Sequence, residues 1–412
     1  MILHPEITMT AVVALVALLC GAVLARMRQS PLIGYILAGA LLGPFGVGFV
    51  GSQDTVKTLA EFGILLLLFL VGLELDLRRF VSVWRVSLLA TLIQIGGSVG
   101  MTLLLGGLFG WPLGLAVLLG FVIATSSTAV VIKTLEDSGE AQSPAGRTTL
   151  GITIAQDIAV VPMMLVLAGL ASESIGILDM GKVALSLVLL AGLIVVLLRF
   201  RVRLPFTRSV TGHNELSPIL GLAWCFGAAA LSGFLGLSAA YGAFLAGMVL
   251  GNSAARDSQL VQNIRPIQSV LMMVFFLSIG MMLDLSFILK HLDMVLLLLL
   301  LVTVFKTVLN VGALRLLGQS WPHAAMAGVA VAQIGEFSFL LSEVGLAHGL
   351  ITADDARLVV SVAVLSLMLS PVWTMAAKSL HHTARGGTTP GEDKRASSME
   401  LRAQREERVA ES

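Results

Sequence analysis

The seven residues LAGALLG, Leu37 to Gly43, recur as LAGMVLG, Leu245 to Gly251, and VGLELDL, Val71 to Leu77, recur as IGMMLDL, Ile279 to Leu285. Both pairs stand 208 residues apart, from 37 to 245 and from 71 to 279. Unrelated stretches do not keep one register by chance, so the chain contains an internal repeat. The same displacement carries Thr125 in ATSSTAVV onto Gln333 in AQIGEFSF, which brings two polar stretches inside apolar runs into correspondence.

The surroundings of these motifs decide the solvent. Of 412 residues 57% are hydrophobic and 12% charged, and mean hydropathy is +0.94. A water-soluble core does not tolerate that balance, whereas membrane spans require it. The net charge of +1 gives no indication of a nucleic-acid partner, because the charges are few and sit between apolar runs. Cys20 and Cys225 lie within apolar runs without ligand spacing and read as small core hydrophobes rather than a disulfide or a metal site.

Apolar stretches of about 17 to 25 residues, each enough to cross roughly 30 Å of hydrocarbon as a helix, recur between short polar connections. They centre near residues 16, 40, 67, 98, 122, 160, 190, 225, 244, 275, 304, 333 and 367. Backbone hydrogen bonding inside lipid makes helices the spanning form. Seven spans fit into the displacement of 208, an odd number, so the second copy enters the membrane from the opposite side. The expected architecture is an all-α integral membrane protein with about 13 transmembrane helices in an inverted-topology repeat, a frequent plan among secondary transporters.

Alternate connections carry fourteen basic residues (Arg26, Arg28, Arg78, Arg79, Arg85, Lys133, Arg147, Arg199, Arg201, Arg203, Arg208, Arg256, Arg265, Arg315) against four (Lys57, Lys182, Lys290, Arg357). The positive-inside rule then places the N-terminus outside and the C-terminus in the cytoplasm. MILHPEIT, without a basic residue, does not read as a cleavable signal peptide, so the first helix is expected to stay. The composition turns polar after about residue 380, which divides the chain into a transmembrane domain, 1–380, and a disordered cytoplasmic tail, 381–412.

Thr125, Ser126, Ser127 and Thr128 are four hydroxyl residues in mid-span, and Gln333, Gly335, Glu336 and Ser338 give the second copy a similar weak point. Both helices are expected to break there, leaving half-helix ends inside the protein beside a cavity. The plainer alternative is hydroxyls bonding back to the preceding turn and bending the helix. Asp157, in GITIAQDIAVVP (Gly151 to Pro162), lies mid-span, where an Asp costs about 2.5 to 3.5 kcal/mol on insertion scales. Displacement by 208 or 209 falls on Leu365 or Ser366, so the repeat keeps the proline (Pro162, Pro371) and loses the acid. Scaffold symmetry does not need Asp157, although a permanent structural pair remains the alternative to an ion site. Gln156 faces about 100° away from Asp157 and either tunes the site or contacts a neighbour.

Lys306 is the basic residue well inside a span, and it needs Asp157, Glu336 or a water-filled pocket as partner. Glu336 either offsets positive half-helix ends or carries protons itself. Glu74 and Arg78 have i,i+4 spacing at the expected cytoplasmic surface and read as an interfacial pair.

A desolvated carboxylate disfavours the bare anion and therefore holds either a proton or a monovalent cation. If the site changes exposure only when neutralised, proton and cation are exchanged without ATP. A Walker-type phosphate loop, a GxGxxG following a strand, HExxH and CxxC are absent from the sequence, so a pump or membrane enzyme has no support.

The stretches LAEFGILLLLFLVGLELDL, SSTAVVIKTLEDSGE, GRTTLGITIAQDIAVVP, GLSAAYGAFLAGMVLGNS, PIQSVLMMVFFLSIGMMLDL and AQIGEFSFLL occur in this order. Together they resemble the membrane domain of Kef-type monovalent cation:proton antiporters, the CPA2 branch, over nearly all of residues 8–380, and also look like its MagA-like members. The resemblance implies a homodimer in a bacterial-type inner membrane, with a dimerisation domain and a core domain of two crossing broken helices. It implies Asp157 and Gln156 as the Gln-Asp ion site, Thr125, Ser126, Ser127 and Thr128 on the first crossing helix, and Gln333 and Glu336 on the second. No cofactor is implied beyond the transported cation and protons. Kef systems carry a nucleotide-binding regulatory domain where this chain has about thirty tail residues, which puts ligand-gated efflux in doubt. The Gln-Asp pair leans toward potassium-type exchange, while Lys306 resembles the lysine of electrogenic relatives. A potassium channel-like protein and a metal (iron) transporter or noncatalytic membrane protein are the alternatives, the latter opposed by the lack of an intramembrane His, Cys or carboxylate cluster.

Overall fold

The computed structural model describes residues 5–384 apart from 28, 50–52, 76, 138, 141–142, 172–176, 201–215, 236–237 and 254–258, and every regular element among them is a helix. The first copy comprises α1 (Pro5–Arg26), α2 (Pro31–Leu42), α3 (Gln53–Glu74), a short α4 (Leu77–Val81), α5 (Trp84–Phe109), the half-helices α6 (Leu113–Ala124) and α7 (Thr128–Asp137), and α8 (Pro144–Leu170). A linking helix, α9 (Ile177–Arg199), follows. The second copy then repeats the order: α10 (Leu216–Phe234), α11 (Ala239–Asn252), α12 (Gln259–Gly280), α13 (Leu285–Lys290), α14 (Leu292–Leu316), the half-helices α15 (Trp321–Ala330) and α16 (Phe337–Ala347), and α17 (Ala353–Ala384). The starts of α2, α4, α5 and α6 map at a displacement of 208 onto those of α11, α13, α14 and α15 to the residue.

Local chemistry sets these boundaries. Ser30 and Ser143 cap α2 and α8, accepting from the backbone N–H of Leu32 at 3.4 Å and Gly146 at 2.9 Å, and a proline follows each cap. Gly110 (φ 70°) and Gly318 (φ 80°), themselves 208 apart, stop α5 and α14 in the left-handed region where a side chain is strained. By length and composition α1 from Thr8, α5, α8 and α14 can each cross a membrane alone. Other apolar helices, among them α2, α6, α11 and α16, are shorter. An apolar run of membrane length is thus divided between pieces, as at residues 113–137, and each expected centre lies on a helix or, at 333, on the break between α15 and α16.

The repeated motifs owe their glycines to helix contact. A Cβ at Gly247 of α11 would lie 1.7 Å from the Phe69 carbonyl oxygen of α3, and one at Gly251 would lie 2.1 Å from that of Leu73. A Cβ at Gly39 of α2 would lie 2.0 Å from the Leu277 carbonyl oxygen of α12, and one at Gly280 would lie 1.9 Å from that of Ile36. Gly39 and Gly247, like Leu277 and Phe69, are related by the displacement of 208. Each copy therefore lends its second helix to the third helix of the other, at backbone-to-backbone distance. In lipid, where apolar side chains gain little by leaving their surroundings, such close packing of small residues is what holds helices together. Asn252 reinforces the joint: its Nδ2 donates to the Leu75 carbonyl at 2.9 Å, and its Oδ1 accepts from the Leu77 N–H at 3.3 Å.

Helices α1–α3 pack with α10–α12, and α5–α8 with α14–α16, while α9 touches both α8 and α11. One apolar core runs through both groups, and the ring of Phe276 on α12 meets that of Phe339 on α16 edge-on at 6.0 Å. By compactness the chain divides into residues 1–368 and 369–412; the described part of the second unit is the end of α17. The side chains of the expected Glu74–Arg78 pair, and the tail from residue 385, lie outside the described residues.

Candidate functional site

Both expected breaks are present. Residues 125–127 separate α6 from α7, and residues 331–336 separate α15 from α16. Ser127 restarts the first pair, its hydroxyl accepting from the Val130 N–H at 3.4 Å as an N-cap. Irregular backbone here leaves polar groups that lipid cannot satisfy, and the two breaks satisfy one another. The Ser126 hydroxyl donates to the Val331 carbonyl at 2.8 Å, and Gln333 Nε2 donates to the Ser127 carbonyl at 3.4 Å. A Cβ at Gly335 would lie 2.7 Å from the Ser126 carbonyl, so the chains touch where they cross. The Ser366 hydroxyl accepts from the Ile334 N–H at 3.2 Å, and Ser338 donates to the Gly335 carbonyl at 2.7 Å.

Lys306 reaches this crossing from α14, just after a π-helical turn at Leu301–Phe305. Its ammonium donates to the carbonyl oxygens of Thr125, at 2.5 Å, and Gln333, at 2.8 Å, positions that correspond in the two copies. The cation thus sits against the negative ends of interrupted helices, and these hydrogen bonds run to backbone carbonyls rather than to a carboxylate. One turn on, Asn310 Nδ2 donates to the carbonyls of Gly328 and Val331, both at 3.3 Å. Replacing a buried ammonium by an apolar side chain removes a desolvation penalty but strands its acceptors, and here two non-helical carbonyls are stranded at once. Lys306→Met is accordingly expected to destabilise the protein by about 2 kcal/mol, read as a lowered thermal midpoint in detergent; an unchanged midpoint contradicts the pinning role.

Asp157 lies on α8, 6% exposed, and Pro162 in the same helix leaves the Ile158 carbonyl without its usual donor. Asp157 Oδ2 accepts from the Thr128 hydroxyl at 3.0 Å. Thr128 opens α7, so the carboxylate stands at the positive end of a half-helix. The structure brings Asp157 and Thr128 together at one point, and Thr125, Ser126, Ser127, Gln333 and Lys306 at the neighbouring crossing. Glu336 borders the second break, at the start of α16. Gln156 turns away from this side: its Nε2 donates to Gln94 Oε1 on α5 at 2.8 Å, with both side chains 1% exposed.

Gln94 and Asn310 had no place in the sequence reading. Both carry a periodic signal: Ser87, Thr91, Gln94, Ser98 and Thr102 recur every three or four residues and form the buried polar edge of α5, and Asn310 lies one turn from Lys306.

Two interrupted helices crossing at a buried lysine, beside an acid-bearing helix and within two interlocked copies, define a membrane antiporter fold. The chain belongs to the family described as sodium/hydrogen exchanger, transmembrane, whose model matches residues 13–376. It is 56% identical over 381 residues, 92% of this chain and 88% of the relative, to the protein named iron transporter MagA of Paramagnetospirillum magneticum. It is 31% identical to the putative cation/proton antiporter YbaL of Escherichia coli, over 89% of this chain and 68% of that one. K(+) efflux antiporter 4 of Arabidopsis thaliana is 34% identical over 88% of this chain, which spans 62% of the plant protein's length. Among solved structures, the sodium proton antiporter MjNhaP1 of Methanocaldococcus jannaschii shares the fold, with a TM-score of 0.64, 15% identity and coverage of 91% of this chain and 99% of that one. The Kef-type resemblance and the all-α antiporter fold hold, and the chain is an integral membrane transporter rather than an enzyme.

Proposed function

We propose that this protein exchanges protons for a monovalent cation, K⁺ or Na⁺, at Asp157 by alternating access. The observation that carries the reading is a buried carboxylate at the opening of a half-helix, in a repeat whose other copy has no acid there, only Leu365 or Ser366. A bare anion is disfavoured in that setting, so the seat is occupied by a proton or by a cation, and a unit that moves only when its seat is neutral couples the two flows. The glycine-interlocked group α1–α3 with α10–α12 supplies a stationary frame, and α5–α8 with α14–α16 carries the seat past it. The basic residues on alternate connections support an N-terminus outside and a C-terminus in the cytoplasm, and the family resemblance supports a homodimer in a bacterial-type inner membrane.

Purified protein in vesicles with a preformed proton gradient tests this: added K⁺, Na⁺ or Li⁺ collapses the gradient if the reading holds, and an intact gradient with all three sinks it. Cation flux that ignores the proton gradient identifies a channel instead. In the same assay Thr128→Val, which keeps size and loses the hydroxyl on Asp157, is expected to raise the cation KM about threefold to tenfold with kcat little changed. An unaltered KM excludes Thr128 from the seat.

The relative named as an iron transporter favours a second reading, uptake of a divalent metal. Against it, no group of three or more His, Cys, Asp or Glu able to hold a metal occurs among the described residues. Fe²⁺ accumulation in the same vesicles, absent from protein-free ones, decides for it.

A further inference from the structure

The hydrogen-bonded pair of Gln94 and Gln156 lies at the α5–α8 contact, about 100° around α8 from the Asp157 that meets Thr128. The repeat offers an internal comparison. Displacement by 208 maps Gln94 onto Val302, which is 0% exposed, and displacement by 208 or 209 maps Gln156 onto Val364 or Leu365. Further along α5, Ser87 and Thr91 map onto Val295 and Leu299. The second copy therefore fills the corresponding places with aliphatic side chains, and helix packing alone does not call for amides. The same copy replaces Asp157 by Leu365 or Ser366, so both amides and the acid are present together in one copy and absent together from the other.

The amides are also incompletely satisfied. Gln94 Nε2, Gln156 Oε1 and the hydroxyls of Ser87 and Ser98 are buried without a hydrogen-bond partner among the described residues. Each such group costs about 1 to 3 kcal/mol, an unfavourable arrangement that stability does not explain. Thr91 adds a long contact from its hydroxyl to the Ile152 carbonyl, 3.5 Å, and the Ser87 side chain fills the space beside Gly151. The polar edge of α5 thus grips α8 over the turn and a half that precedes Asp157.

We propose that Gln94 is a positioning residue for the ion seat: through its hydrogen bond to Gln156 it sets the rotation of α8 and so the angle at which Asp157 meets Thr128 and the cation. This rests on Asp157 being the seat. A directional bond at 2.8 Å fixes the helix about its axis, which aliphatic side chains do not. Rotation of α8 by about 20° moves a carboxylate about 6 Å from the helix axis by roughly 2 Å, enough to exchange a direct ligand for a distant one.

Three variants test it in the vesicle assay, with cation KM, kcat and pH profile measured for each. Gln94→Met removes the acceptor at nearly constant volume, and Gln94→Glu keeps an acceptor oxygen within reach of Gln156 Nε2. The double variant Gln94→Val with Gln156→Val removes both amides together and leaves neither without its partner, so the test survives poor folding of Gln94→Met. The expected result is a cation KM raised about tenfold and a displaced pH profile for Gln94→Met and the double variant, with Gln94→Glu within about threefold of wild type. Wild-type KM and pH profile in both apolar variants overturn the proposal, as does a fall in kcat alone. Failure of the underlying reading is distinct: the wild type then shows no exchange, or Asp157→Asn retains it.

Discussion

Vesicles carrying Asp157→Asn are expected to hold their proton gradient when K⁺, Na⁺ or Li⁺ is added, with exchange lowered about 100-fold or more. Asparagine preserves the size of the side chain and an oxygen to accept the Thr128 hydroxyl bond, so the geometry at the opening of α7 is kept. It can neither take up a proton in the working range nor balance a cation's charge, and a dehydrated monovalent ion facing only neutral oxygens in a buried site is poorly compensated. Removing a charge from mid-membrane also relieves an insertion penalty, so the folded protein should be at least as stable as the wild type. Loss of exchange with an undiminished thermal midpoint therefore separates function from folding. Gradient collapse at the wild-type rate in Asp157→Asn would falsify the assignment of the seat.

The second large effect is expected from a single methyl group. Gly247→Ala brings a Cβ to 1.7 Å from the Phe69 carbonyl oxygen, where real Cβ contacts stay beyond 3.0 Å, and both atoms belong to helical backbone that cannot yield by a rotamer change. α11 and α3 must separate by more than an ångström, which also pulls Gly251 from Leu73 and Gly72 from Phe244. Overpacking of this kind costs typically about 1 to 3 kcal/mol, and loss of contact along the whole joint adds to it. Gly247→Ala is expected to lower the yield of monodisperse protein severalfold, and Gly39→Ala, its symmetry mate, to do the same. Gly100→Ala on α5, where a Cβ meets nothing within 4 Å, is the control and should match or exceed wild-type stability because alanine favours helix by about 1 kcal/mol. Equal stability of all three variants contradicts the proposed joint.

The membrane class, the repeat and the two breaks could be read from the sequence because each is written locally. Apolar runs, a displacement of 208 and clustered hydroxyls need no knowledge of what packs against what. The reason for the repeated glycines was not readable in that way, since Gly247 is explained by Phe69, a residue of the other copy. Lys306 shows the same limit: its depth marked it as a charge needing a partner, but half-helix carbonyls do not appear in a list of side chains. Thr128 stood out as part of a weak helix, and only the fold makes it the hydrogen-bond donor to Asp157. Gln94 was within reach, because its spacing from Thr91 and Ser98 on α5, three and four residues, can be counted, and so can the valine at 302.

The exchange of second and third helices between copies bears on how the protein is made. Gly39 has no backbone to rest against until Leu277 has been synthesised, and Phe69 none until Gly247 has. Insertion of the first copy into the membrane is therefore not yet folding: α2 and α3 must wait in lipid, glycine faces uncovered, while some two hundred further residues leave the ribosome. The frame closes late, as α11 meets α3 and α12 meets α2, and joins the beginning of the chain to its middle. A ribosome stalled before α12 leaves the contact between Gly39 and Leu277 unmade and the frame unclosed.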